Sequence, residues 1–221
     1  MDSERKYADL IFCASRKYAS WDPEITFFRT VRKEGNISAD GKAKAHGIPE
    51  PIEYDGGESG EGETWVVSQN AEQVDVTASG TSGILPAITQ CRIKGAFKFS
   101  SGRGAILVME NDTISAIDPP GTVRRLLENH SMRGFVVVSE VHRCSSYARL
   151  LTDQEGSTVA LGLSVDLPAV GVASAAANAT WVRRVTSGNF RSQINRKGDR
   201  TYYPLFRLVS LTEEATAMGI R

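Results

Sequence analysis

From Thr158 to Leu167 the chain reads TVALGLSVDL, with Val or Leu at every odd position and a small or polar residue at every even one. Side chains alternate faces along a β-strand, so this run has one continuously apolar face and one small, wet face. Two settings accept such a ribbon. One is an antiparallel sheet packed on a core; the other is a transmembrane β-strand, which needs about 9–11 residues of apolar-out, polar-in alternation. Periodicity alone leaves both open.

The run sits in a longer stretch of strand character. Phe135–Val141 (FVVVSEV) is a β-branched block suited to a pleated, buried surface, and Tyr147–Thr152 reads as its continuation in the same ribbon. Asp153-Gln154-Glu155-Gly156-Ser157 supplies a turn. Beyond the alternating run, Ala169–Ala179 (AVGVASAAANA) has almost no large side chains with which to pack a core. A basic segment follows, in which Arg183, Arg184, Arg191, Arg196, Lys197 and Arg200 stand against the single acid Asp199, in a chain whose net charge is zero. Such a segment attracts anionic surfaces, lipid head groups or nucleic acid. Tyr202–Val209 reads as a closing strand.

An earlier ribbon has the same grammar. Trp65-Val66-Val67 opens it, Val74–Ser79 continues it, and Cys91–Phe99 alternates cleanly, with Cys, Ile, Gly, Phe and Phe at the odd positions. Ala105–Glu110 (AILVME) returns to the core. Ahead of it, residues 35–64 read as a flexible loop, since Glu50–Glu63 holds six acids, no bases and four glycines. Between the ribbons, Val123, Leu126, Leu127 and His130 fall at helical spacing after Asp118-Pro119-Pro120-Gly121. Near the N-terminus two apolar runs are followed by bases: Leu10-Ile11-Phe12 by Arg16 and Lys17, and Ile25-Thr26-Phe27-Phe28 by Arg29, Arg32 and Lys33.

Several classes find no support. No run approaches the roughly 18 apolar residues of a transmembrane helix, and Met1–Lys6 lacks a signal peptide's apolar region, so a cytoplasmic protein is expected. Cys13, Cys91 and Cys144 form no CxxC pair and are odd in number, so neither a disulfide framework nor a zinc site is expected. Gly102-Arg103-Gly104 lacks the rest of a phosphate-binding fingerprint. His142 and Cys144 share a strand face, but the sequence places no third, orienting group beside them. The chain reads as no enzyme, with no catalytic residues, metal or cofactor.

The order Arg124-Arg125-Leu126-Leu127, Gly134–Val141, Gln154-Glu155-Gly156-Ser157, a small-residue ribbon and a strand ending Pro204-Leu205-Phe206-Arg207-Leu208 resembles the pore-forming amino-terminal domain of gasdermins. Ser139 stands where that family has Thr, and Ser157-Thr158 where it has Ser-Gly. Leu10–Tyr18 (LIFCASRKY) resembles the early gasdermin strand that leads into a basic pair, and the amphipathic helix that precedes it in animal members is expected to be short or absent. With no inhibitory domain in view, the chain is most similar to the compact fungal members that act in heterokaryon incompatibility.

The resemblance implies an α+β fold, a twisted antiparallel sheet with short helices in a single domain spanning 1–221, whose two ribbons refold into transmembrane β-hairpins. It implies a protein that binds acidic phospholipids, oligomerises and permeabilises the plasma membrane, causing regulated cell death. The monomer would be cytoplasmic. Its partners would be acidic lipids, further copies of itself and an allelic variant, and not nucleic acid. Arg16, Lys17, Arg29, Arg32, Lys33, Arg183 and Arg184 are the expected lipid contacts. Val74, Val76, Ile93, Phe97, Phe99, Val159, Leu161, Leu163, Val165 and Leu167 are the expected membrane-facing residues. The competing reading is a β-rich module that docks on head groups or nucleic acid through its basic patch and never inserts.

Overall fold

Tyr7, Leu10, Ile11 and Ala14 recur at helical spacing, and Ser3–Ser15 forms a helix, α1, in the computed structural model. The structure describes residues 3–24, 30–32, 52–55, 62–74, 91–117, 135–153, 158–165, 179–184 and 188–210. The expected strand over Leu10–Tyr18, with a short or missing helix before it, is thus corrected. Leu10-Ile11-Phe12 looks like a strand when taken alone, but Tyr7 and Ile11, one turn apart, are both fully buried. The amide of Arg16 donates to the Phe12 carbonyl at 2.8 Å, and Arg16 adopts φ 60°, the left-handed conformation that ends a helix.

Strands follow in the order β1 (Tyr18–Ala19), β2 (Thr30–Arg32), β3 (Ile52–Asp55), β4 (Glu63–Val67), β5 (Ala71–Gln73), β6 (Cys91–Phe99) and β7 (Gly104–Glu110). They continue as β8 (Thr113–Ala116), β9 (Phe135–Cys144), β10 (Ser146–Thr152), β11 (Thr158–Val165), β12 (Ala179–Arg184), β13 (Asn189–Ile194) and β14 (Tyr202–Ser210). All described pairings are antiparallel, so the described residues form a mainly β fold with one short helix, an α+β arrangement.

The described strands form three sheets. Sheet A runs β1-β14-β9-β8-β3, with β2 on the first half of β9; sheet B runs β13-β10-β7-β4; sheet C runs β12-β11-β6-β5. The segment expected to be a loop at 35–64 contains β3 and the start of β4; its other residues, apart from Gly62, lie outside those described. The helix expected between the ribbons and Val76–Ser79 also lie outside them. Tyr147–Thr152 does not extend the sheet of Phe135–Val141. Ser145 interrupts the strand, and β10 enters sheet B while β9 stays in sheet A.

Sheet B is the middle layer. On one face Ala105, Leu107, Met109, Tyr147 and Leu151 pack against Tyr7 and Ile11 of α1. On the other, Ile106, Val108, Ala148 and Leu150 meet Phe97, Phe99, Val159, Leu161 and Trp181 of sheet C. Because β7 is covered on both faces, its sequence is continuously apolar instead of alternating, and Gly104 to Met109 are all buried. Each fully buried Leu, Met or Val contributes about 1.5–3 kcal/mol.

Candidate functional site

The two ribbons are neighbours in sheet C. β6 and β11 pair along their length, from Thr158 opposite Lys98 to Ser164 opposite Cys91, with β5 and β12 on the outer edges. Cys91, Ser164, Val165 and Ala179 therefore gather at one end of the sheet. The strands that lead into 166–178 and out of both 75–90 and 166–178 end there.

Among the expected membrane-facing residues, Phe97, Phe99, Val159 and Leu161 are at most 6% exposed and share the inner face, against sheet B. Leu163 is half-buried at the same core, opposite Trp181. Trp181 is anchored to the middle layer by donating from Nε1 to Ser146 Oγ at 2.6 Å. Ile93 does not join this face. The register slips between Leu161 and Gly162, so that Leu161 pairs with Gly95 but Gly162 with Ile93, and Lys94 becomes the extra residue of a β-bulge. That extra residue reverses the alternation, which the even spacing of the sequence could not reveal. Lys94 instead forms an ion pair with Glu63 of β4, tying sheet C to sheet B. Val74 is half-buried and donates its amide to the Ala96 carbonyl at 2.9 Å. Val165 ends β11, whereas Val76 and Leu167 lie outside the described residues.

The expected lipid contacts are dispersed. Arg16 is exposed beyond the helix end. Lys17 is engaged internally: its ammonium pairs with Glu140 and donates to His142 Nε2 at 2.7 Å. With Lys17 as donor, the neutral ring accepts at Nε2 and donates from Nδ1 to Asp112 Oδ2 at 3.0 Å. Asp112 Oδ1 accepts from Thr64 at 2.8 Å, and Arg207 lies 3.3 Å from Glu140 Oε2. Burial alone would raise the Glu140 carboxyl, but the contacts with His142 and Lys17 and the charges of Lys17 and Arg207 outweigh it and hold it at about 2. The orienting partner of His142 that the sequence did not display is therefore Asp112, supplied by the turn between β7 and β8. Cys144, two residues away, is fully buried, and burial pushes its thiol up, the opposite of an activated nucleophile.

Arg183 is exposed, donates to the Gly188 carbonyl at 2.8 Å and lies 5.3 Å from the Phe190 ring centre. Arg184 ends β12, and Arg32 ends β2 opposite Phe135. Arg29 and Lys33 lie outside the described residues. Elsewhere in the basic segment Arg200 is tied to Asn111 and Arg191 to Asp22 and Glu24, while Arg196 and Lys197 stand exposed in a turn.

Sequence reading passed over a second cluster. Arg149 interrupts the apolar strand β10, is 2% exposed, and stacks 3.6 Å from the Trp21 ring centre. Tyr147, two residues earlier, donates to Glu24 Oε1 at 2.9 Å. A charged residue within YARLL was the available signal. Searches of protein-family models, of curated proteins and of solved structures found no match to the chain.

Proposed function

We propose that the chain is a gasdermin-type pore-forming protein, which binds acidic phospholipid, assembles with further copies or with an allelic variant, and inserts two β-hairpins into the plasma membrane. One observation carries the reading: both alternating ribbons lie side by side in a single antiparallel sheet, with the ends of β6, β11 and β12 that border 75–90 and 166–178 together at one end. Backbone groups in a bilayer must all be hydrogen-bonded, so hairpins span only within a closed barrel. β5 and β12 are the edges of sheet C, and in an assembly each would pair with a neighbouring copy.

In this mechanism sheet C leaves sheet B, and Phe97, Phe99, Val159, Leu161 and Leu163 exchange the core for lipid. The bulge at Lys94 would be lost, since a regular strand restores the alternation that a lipid-facing surface requires. Among the described residues no helix is long and apolar enough to cross a membrane.

Dye release from phosphatidylcholine vesicles with and without phosphatidylserine tests the proposal. Release confined to the acidic vesicles supports it. A specific observation favours the non-inserting module: the odd face of β11 is already packed in a core, as in any layered β protein. Tight binding without release would leave that reading in place.

A further inference from the structure

Arg149 and Arg191 are directly opposed on neighbouring strands, β10 and β13, on the face of sheet B turned toward α1. Two guanidinium groups at one register position repel each other unless anionic groups lie between or beside them. Here those groups come from the segment that follows β1. Glu24 accepts from Arg191 Nη2 at Oε2 (2.9 Å) and from the Tyr147 hydroxyl at Oε1 (2.9 Å), while Asp22 lies 3.1 Å from Arg191. Trp21 covers Arg149.

The cluster has more donors than it uses. Arg149 Nη1 donates to Asn189 Oδ1 at 3.1 Å, but Arg149 Nε and the Tyr7 hydroxyl, both buried, have no hydrogen-bond partner among the described residues. Arg149 is the most deeply buried cation described, and no carboxylate forms an ion pair with it among the described residues. Buried guanidinium groups normally find anionic partners. The two carboxylates that are present are crowded together: the hydrogen bond to Glu24, and then burial, hold Asp22 above the usual carboxylate range.

The covering segment is held to β14 by two backbone bonds, Ser20 to the Pro204 carbonyl at 2.9 Å and Tyr203 to the Pro23 carbonyl at 2.7 Å. Arg191 and Asp22 remain 38% and 42% exposed, so the rim of the cluster is open to solvent.

We infer that Tyr147, Arg149 and Arg191 form a binding site for a phosphate monoester or diester, occupied in this structure by the Glu24 carboxylate as an internal surrogate. Fork-shaped guanidinium groups and a phenol suit a tetrahedral oxyanion with several acceptor oxygens better than they suit one carboxylate. On the membrane reading above, on which this choice of source rests, the phosphate is that of a lipid head group, and its arrival displaces the segment from Trp21 to Glu24. A free phosphate would use the same donors.

The test is a charge swap that frees the donors without emptying the core. Glu24→Gln keeps the shape and one acceptor oxygen but removes the charge. It is expected to tighten binding to phosphatidylserine-containing vesicles about fivefold, which is about 1 kcal/mol, the contribution of one basic side chain near an anionic surface. Adding Arg191→Gln should abolish the gain, and adding Arg196→Gln, at an exposed base elsewhere, should not. In solution, inorganic phosphate raising the melting temperature of Glu24→Gln but not of Glu24→Gln/Arg191→Gln would identify a site that accepts free phosphate as well. No gain with either probe, or a gain that survives Arg191→Gln, overturns the assignment. A gain in vesicle binding with no dye release by any variant leaves this site standing and removes pore formation.

Discussion

Single residues in this fold are held by charge and by close contact, and both can be tested. Glu140 sits below its ordinary range because Lys17, His142 and Arg207 surround it. A carboxyl depressed in the folded state stabilises above its unfolded value and loses that contribution as pH falls through its folded one. Lys17→Met is therefore expected to be less stable than the parent at neutral pH, by about 1.5–3 kcal/mol for a charge-assisted hydrogen bond. The difference should close between about pH 4.5 and about pH 2, as followed by urea denaturation across that range. Gly104 is held by contact instead. A methyl group there would overlap the Phe99 ring, so Gly104→Ala should destabilise by about 1–3 kcal/mol in the same assay. None of this polar network could be read from the sequence. Lys17, Asp112 and His142 are far apart in the chain, and only the registers of β1 on β14 and of β8 on β9 bring them together.

At the scale of elements, the strands that could be read were those whose environment is uniform along their length. β11 alternates because one face meets sheet B, and β7 is continuously apolar because both faces are covered. α1 was hidden because its apolar stripe is short and includes three consecutive apolar residues that mimic a strand. The bulge in β6 was hidden because an inserted residue leaves the spacing of the sequence intact while reversing what faces inward. The candidate site divides along the same line. Phe97, Phe99, Val159 and Leu161 share a face, Ile93 does not, and the described bases among the expected lipid contacts lie on several elements. Leu163 is the informative position, since it is half-buried in the sheet and lies on the inner face. Leu163→Asp is expected to leave a folded, vesicle-binding protein that releases no dye, because an acid facing mid-membrane lipid opposes insertion by up to a few kcal/mol. Undiminished leakage by this variant would exclude β11 from the membrane.

For the molecule as a whole, the layering of α1, sheet B and sheet C sets what a conformational change can do. Phe97, Phe99, Val159, Leu161 and Trp181 together contribute on the order of 10 kcal/mol by burial against sheet B. That is comparable with the entire stability of a typical domain, about 5–15 kcal/mol, so sheet C cannot separate into water. On the pore-forming proposal it would separate only where hydrocarbon replaces the core, which would make a lipid surface and a set of neighbouring copies requirements of the same step. The most direct measurement uses Trp181, which is 3% exposed and lies on the inner face. With Trp21→Phe and Trp65→Phe leaving it as the one tryptophan, its emission is followed on phosphatidylserine vesicles whose acyl chains are brominated near their middle. Insertion of sheet C predicts strong quenching that develops together with dye release; vesicle-bound protein whose Trp181 emission stays unquenched would contradict it.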